Sequence, residues 1–231
     1  MTLADHLLAR IRATGPLTVA DWMADCLMHP TLGYYATRDP LGRDFTTAPE
    51  ISQMFGEMLG LCLAQAWLDQ GRPRCTLAEL GPGRGTLMAD MLRAMAGVPG
   101  FHDAVAVHLV EASPVLRARQ AEALAGVEVA WHETVEGLPD GPILLVANEF
   151  LDALPIRQWV RDGAAWRERL VTEADGALAF ALGPPVPVPE LGGEDAPDGA
   201  VVERCPALPG IVGSVAARVA AGGAAVFVDY G

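Results

Sequence analysis

The chain contains no lysine; all sixteen of its basic residues are arginine. Schiff-base catalysis, a P-loop lysine and a lysine general acid or base are therefore excluded. Cysteine is also scarce. Cys26, Cys62, Cys75 and Cys205 are scattered and form no C-x-x-C pair, which disfavours zinc and reads as reduced thiols. His6, His29, His102, His108 and His132 have no metal-ligand spacing, so no metal site is expected. No apolar run reaches the roughly eighteen residues of a membrane span. The first ten residues carry Asp5 and no basic leader segment, and read as an amphipathic helix rather than a signal peptide. Positive charge is outnumbered. A net charge of −13 and a pI near 4.7 leave no phosphate-binding surface, so nucleic acid is not a partner. An acidic surface suits basic substrates, arginine side chains included.

Hydrophobic residues make up 51% of the 231, enough for a buried core. The most informative stretch is Leu77-Ala-Glu-Leu-Gly-Pro-Gly-Arg-Gly-Thr86. An apolar run ends there in an acid, Glu79, and three closely spaced glycines, Gly81, Gly83 and Gly85. A second run, His108-Leu-Val-Glu-Ala112, ends in Glu111. A strand that stops in a glycine-rich turn and leads into a helix turns backbone N–H groups toward a crevice. An acid closing the next strand can accept hydrogen bonds from ribose hydroxyls. Glycines alone are equally compatible with a tight turn that binds nothing. The two acids and two apolar runs together favour a nucleoside-cofactor site.

The spacing is G-x-G-x-G, with Thr86 where a dinucleotide fold places its third glycine. Glu79 would repel a pyrophosphate and attract an ammonium group. S-adenosylmethionine (SAM) has an α-amino group, a sulfonium and no phosphate. The pattern therefore looks like motif I of class I methyltransferases, and NAD is disfavoured.

The rest of the chain fits an α/β protein. Residues 3–13 and 18–28 read as helices, the second ended by His29-Pro30. Thr47-Ala-Pro-Glu50 reads as a capping box opening a helix that runs to about Asp69. Ile51, Met54, Phe55, Met58, Leu59, Cys62, Leu63, Ala66 and Trp67 form its wide apolar stripe, expected to be buried against the sheet domain. From Thr76 short apolar runs alternate with helical segments, which argues for a doubly wound parallel sheet. Residues 157–182 change to antiparallel strands with turns at Asp162-Gly163 and Asp175-Gly176. Gly183–Gly199 is rich in Pro, Gly and acids and reads as a surface loop. Leu208–Ala221 is a helix and Ala224–Val228 the fifth parallel strand. The resulting division is a helical extension over 1–75 and a Rossmann-like core over 76–231, with an insertion at about 157–200. A fifth strand left as a bare edge suggests that further strands are missing and that the polypeptide continues past Gly231.

Three more segments carry a resemblance: Asp44–Glu57 (DFTTAPEISQMFGE), Asn148–Pro155 (NEFLDALP) and Val228-Asp-Tyr-Gly231. With Glu79–Gly85 they resemble the MidA family of SAM-dependent methyltransferases, in the same order over nearly the whole chain. The resemblance implies a class I methyltransferase core with an N-terminal helical extension. It also implies methyl transfer to an arginine of a respiratory complex I subunit during assembly, and a segment bearing Thr47 and Glu50 that lies against the cofactor. Compared with the family, this chain is shorter at its C-terminal end. The compartment implied is a bacterial cytoplasm, or the mitochondrial matrix in a eukaryote, without membrane insertion.

Asn148 and Glu149 stand at the carboxyl end of the fourth strand, where open α/β sheets place substrate chemistry. Glu149 and Asp152, three apart, could meet the planar donor fork of a guanidinium from one side. Equally, Asp152 could cap the following turn and Glu149 could be a solvated acid. For Thr47 and Glu50 the capping box and the cofactor contact remain equal alternatives. A small-molecule methyltransferase and a non-catalytic complex I assembly factor are the competing functional readings.

Overall fold

The computed structural model describes residues 1–37, 47–186 and 196–230. The elements begin with α1 (Leu3–Thr14), β1 (Leu17–Thr18), α2 (Val19–Met28), α3 (Tyr34–Thr37), α4 (Ala48–Ile51) and α5 (Gln53–Asp69). Then come β2 (Cys75–Leu80), α6 (Thr86–Met95), α7 (Phe101–Ala104), β3 (Val105–Val110), α8 (Pro114–Ala123), β4 (Val129–His132) and β5 (Ile143–Asn148). The last are β6 (Arg157–Asp162), β7 (Ala165–Ala174), β8 (Ala177–Val186), β9 (Val201–Arg204), α9 (Leu208–Ala220) and β10 (Gly223–Val228). They form two units: Met1–Thr37 with Leu154–Ala207, and Arg38–Ala153 with Leu208–Gly231. The boundary differs from the sequence-based division at residue 75. α5 belongs to the unit with the parallel sheet, and the inserted strands belong with the N-terminal helices.

In the first unit β7 is the central strand. It pairs antiparallel with β6, β8 and the two-residue β1, through Leu17↔Val171 and Thr18↔Leu170. Leu7, Ile11, Leu17 and Val171 make its core. The β7–β8 hairpin turns at Asp175 (φ 52°) and Gly176 (φ 78°), the doubly left-handed pair that a tight two-residue loop requires. β8 continues through Pro184 and Pro185 to Val186, further than the loop expected from Gly183 onward. Residues 187–195 of that loop lie outside the described residues.

The second unit holds a five-stranded parallel sheet in the order β10-β5-β2-β3-β4. β2 is buried from Thr76 to Leu80, as a central parallel strand covered on both faces must be. Leu77, Leu109, Leu144 and Val146 pack with Trp67, Leu87, Met88 and Met91 of α5 and α6 on one face. Ala78, Leu80, Leu145 and Ala147 pack with Val215 of α9 on the other.

Two expectations for the segment before β2 are corrected. The helix from Thr47 is broken at Ser52, whose extended backbone (φ −145°, ψ 116°) separates α4 from α5. The wide stripe is buried only in part: Leu63 and Trp67 are buried and Phe55 and Leu59 pack on the core, but Ile51, Met54 and Met58 are 73%, 64% and 62% exposed. The buried line is Gly56, Gly60, Leu63, Ala64 and Trp67. A Cβ on Gly60 would stand 2.8 Å from the Met91 Cα, and one on Gly56 2.6 Å from the Asp90 Cβ. The absence of side chains at Gly56 and Gly60 lets α5 close on α6 backbone to backbone, so small residues rather than large ones select the face.

Candidate functional site

The glycine turn lies between the end of β2 and the start of α6. Gly81, Gly83 and Gly85 have φ of 62°, 54° and 87°, in the left-handed region that glycine enters without steric cost. The Gly81 N–H donates to the Val110 carbonyl at 3.0 Å and the Gly85 N–H to the Pro82 carbonyl at 2.8 Å, which fixes the turn at both ends. A Cβ on Gly81 would meet the Phe150 ring at 2.9 Å. Gly85 is the N-cap of α6, so the positive end of that helix faces the turn.

Glu79 is 2% exposed, and its Oε2 has no hydrogen-bond partner among the described residues. Burial pushes its carboxyl up to about 8; a backbone hydrogen bond from Met88 opposes this and the nearby Glu111 adds to it. A buried carboxyl oxygen without a donor is costly in an enclosed protein and fits the place of an ammonium ligand.

Glu111 follows β3. Its Oε1 accepts from the Ser113 N–H at 2.7 Å and its Oε2 from Gln120 Nε2 at 3.2 Å. Arg117 Nε donates to the Glu111 carbonyl at 2.7 Å. Burial raises the Glu111 carboxyl above its ordinary value, while the bonds from Ser113 and Gln120 and the charge of Arg117 hold it down.

Glu50 reaches the turn. Its Oε1 accepts from Thr86 Oγ1 at 2.7 Å, and Arg84 Nη1 lies 3.5 Å from its Oε2. The expected capping box is not formed: the Thr47 side chain makes no cap bond, and only its carbonyl accepts the Glu50 N–H, at 2.9 Å. Glu50 is drawn to the hydroxyl and guanidinium of the glycine loop instead. Asp44–Thr46, and Gly231 at the other end, fall outside the described residues.

The Asn148–Asp152 stretch closes the far side. Asn148 ends β5, and its buried Oδ1 has no partner among the described residues. Glu149 has φ 48°, unusual for a residue with a long side chain, and is held by its N–H to the Val228 carbonyl at 2.8 Å. Asp229 anchors the loop. Its Oδ2 accepts the N–H groups of Leu151 and Asp152 at 2.9 and 3.2 Å, and its Oδ1 accepts that of Tyr230 at 2.9 Å. Asp152 is exposed; desolvation and the adjacent Asp229 raise its carboxyl, while nearby backbone N–H groups lower it.

Hydrogen bonds thus tie Glu50, the glycine turn and Glu111 to the ends of β2 and β3, whereas Glu149 and Asp152 share the Asp229-anchored loop. Gln120 and the anchoring part of Asp229 escaped the sequence reading. Gln120 carried a signal: Leu116, Gln120 and Leu124 recur at helical spacing, and all three are buried.

A central parallel strand ending in a buried acid and a glycine turn, with a second acid after the neighbouring strand, defines a nucleoside-binding α/β fold. Residues 58–231 match the family described as "Putative S-adenosyl-L-methionine-dependent methyltransferase". The chain belongs to that family, as its resemblance to the MidA proteins implies. It is similar to the protein named "Protein arginine methyltransferase NDUFAF7, mitochondrial" of Danio rerio. That match is 38% identical and covers 100% of this chain and 62% of the relative. The human protein of the same name is 35% identical, with 98% and 58% covered. A crystal structure from Burkholderia thailandensis, bound to S-adenosyl-homocysteine, superposes with TM-score 0.83 at 35% identity and covers 99% of this chain and 62% of that one. The chain thus spans about three-fifths of the length of these relatives.

Proposed function

We propose that the chain binds SAM and directs methyl transfer to an arginine side chain of a protein substrate. The observation that carries the reading is the buried Glu79 oxygen without a donor, set beside the glycine turn and Glu111. In this reading Glu79 meets the cofactor's α-ammonium group, the turn of Gly81, Gly83 and Gly85 holds its methionine portion with Gly83 leaving the room for it, and Glu111 accepts from the ribose hydroxyls. Glu50, bonded to Thr86, braces the turn, and Thr47 lies next to that brace. When bound, the cofactor supplies an electrophilic methyl group on a sulfonium.

The acceptor side is assigned to Asn148, Glu149 and Asp152. Displacement at a sulfonium needs a neutral lone pair aligned with the S–CH₃ bond at about 3–3.5 Å. Two carboxylates can hold a guanidinium fork at that distance and take up the proton that its nitrogen loses. The name carried by the Danio rerio and human relatives supports arginine as the acceptor. The MidA resemblance extends the proposal to a subunit of respiratory complex I as the substrate. The reduced thiols expected from the sequence favour a bacterial cytoplasm or mitochondrial matrix.

Mass spectrometry of complex I subunits incubated with the protein and isotopically labelled SAM tests the proposal. A labelled methyl on arginine supports it. Labelled small molecules with unlabelled subunits would favour the small-molecule reading, and SAM binding without any turnover would favour a non-catalytic assembly factor.

A further inference from the structure

Gln120 is fully buried, at a core position of α8 between Leu116 and Leu124. A primary amide offers two donor hydrogens and a carbonyl oxygen in one plane. Here it connects three separate pieces of the chain. Its Nε2 donates to the Gly83 carbonyl at 2.8 Å and to Glu111 Oε2 at 3.2 Å, and its Oε1 accepts from the Trp131 indole N–H at 2.9 Å. We propose that Gln120 is a positioning residue that sets the glycine turn and the Glu111 carboxylate for the nucleoside cofactor. The proposal rests on the SAM reading given above.

Its three bonds allow the amide one orientation. Trp131 is a donor only, so it holds the oxygen end of the amide. A flipped amide would set its NH₂ against the indole N–H and its oxygen against two acceptors, Gly83 O and the Glu111 carboxylate. A single orientation is therefore selected, and with it the directions of both donors. Ser113 N–H fixes one Glu111 oxygen and Gln120 the other, so the carboxylate cannot rotate and its remaining lone pairs point in set directions. The same amide clamps the carbonyl of Gly83, whose left-handed φ of 54° shapes the turn. Gln120 acts through these two groups. A core residue chosen only for packing would be apolar here, because a buried amide stabilises only when its hydrogen bonds are made.

The test uses the full chain and S-adenosyl-homocysteine, titrated by calorimetry well below the unfolding temperature, with circular dichroism to confirm the fold. Gln120→Met keeps the length and removes all three bonds; it should raise the Kd about tenfold or more, the scale expected when a charged acceptor loses its partner. Trp131→Phe leaves Glu111 and Gly83 untouched but frees the amide to turn, and should weaken binding severalfold. The double variant should bind no worse than Gln120→Met, because both changes act on one linkage. A merely structural role would lower stability without this coupling. If Gln120→Met does not fold, the Trp131→Phe measurement decides alone: a severalfold loss supports the proposal, and unchanged affinity overturns it. Wild-type affinity in Gln120→Met, or additive effects in the double variant, would also overturn it. A wild-type chain that binds no S-adenosyl-homocysteine defeats the cofactor reading itself, a different and recognisable failure.

Discussion

If Glu79 meets the cofactor's ammonium group as proposed, its burial makes cofactor binding depend on pH in one direction. Its pKa stands at about 8 without ligand, so the acid is mostly protonated at neutral pH. An ammonium group placed against it favours the carboxylate and drives the proton out. Binding must then release close to one proton between about pH 6 and about pH 7, and affinity must rise with pH. If the bound pKa falls well below about 6, affinity should increase about 25-fold from about pH 6 to about pH 7.5, equivalent to about 2 kcal/mol. Near its upper end the ligand's own α-amino group begins to lose its proton, so the rise is cleanest up to about pH 7. The assay is calorimetric titration with SAM across this range, repeated in buffers of different ionisation enthalpy to count protons. Glu79→Gln should bind more weakly and lose most of the pH dependence. A flat wild-type profile, or a Glu79→Gln profile as steep as wild type, would refute the assignment of the ammonium to Glu79.

Substitutions in the site and in the core have distinct expected outcomes. Glu111→Ala should weaken SAM binding by about 1–3 kcal/mol with little change in Tm, since the residue follows the strand end; a collapsed Tm with unchanged affinity would make it structural. Glu149→Gln should keep SAM binding and reduce methyl transfer about 100-fold, because the amide turns a donor toward the donors of the guanidinium. Under the same reading, a peptide with lysine replacing the target arginine should not be methylated; equal methylation of both would remove arginine from the proposal. Gly60→Leu should cost about 1–3 kcal/mol, several degrees in Tm, because its Cβ would press on the Met91 backbone. Met58→Gln on the exposed face should leave Tm nearly unchanged, and the reverse order in a thermal melt would mean that α5 buries the other face.

The strongest local signals in the sequence carried over to the structure. The β2 run, its acid and the glycines occupy the expected strand and turn because a buried strand and a left-handed turn are set by neighbouring residues. The Asp175-Gly176 hairpin succeeded for the same reason. Failures came where distant contacts decide. The α5 stripe rests on large apolar side chains, of which Leu63 and Trp67 are buried, but Gly56 and Gly60 turn the face toward α6, and small residues carry little weight in a hydrophobicity pattern. Thr47 and Glu50 have capping-box spacing, yet Thr86, thirty-six positions away, takes the Glu50 carboxylate. Gln120 stands at a core spacing between Leu116 and Leu124, but its three partners lie elsewhere in the chain and no local pattern names them. Residues 17 and 18 offer no hint that their strand partner lies beyond residue 169.

That last pairing bears on the order in which the molecule can assemble. Leu17 and Thr18 cannot find Val171 and Leu170 until more than 150 further residues have been synthesised. During synthesis α1 and α2 therefore wait with Leu7 and Ile11 exposed, while the strands of the parallel sheet emerge between them and their partner. β10 pairs in parallel with β5, Gly223 with Ile143, so the parallel sheet too depends on a strand made long after its neighbour. Such long loop closures slow folding and leave apolar surface uncovered for longer. The N-terminal helices are consequently where a holding chaperone has the most to protect, and where slowed translation should most increase aggregation.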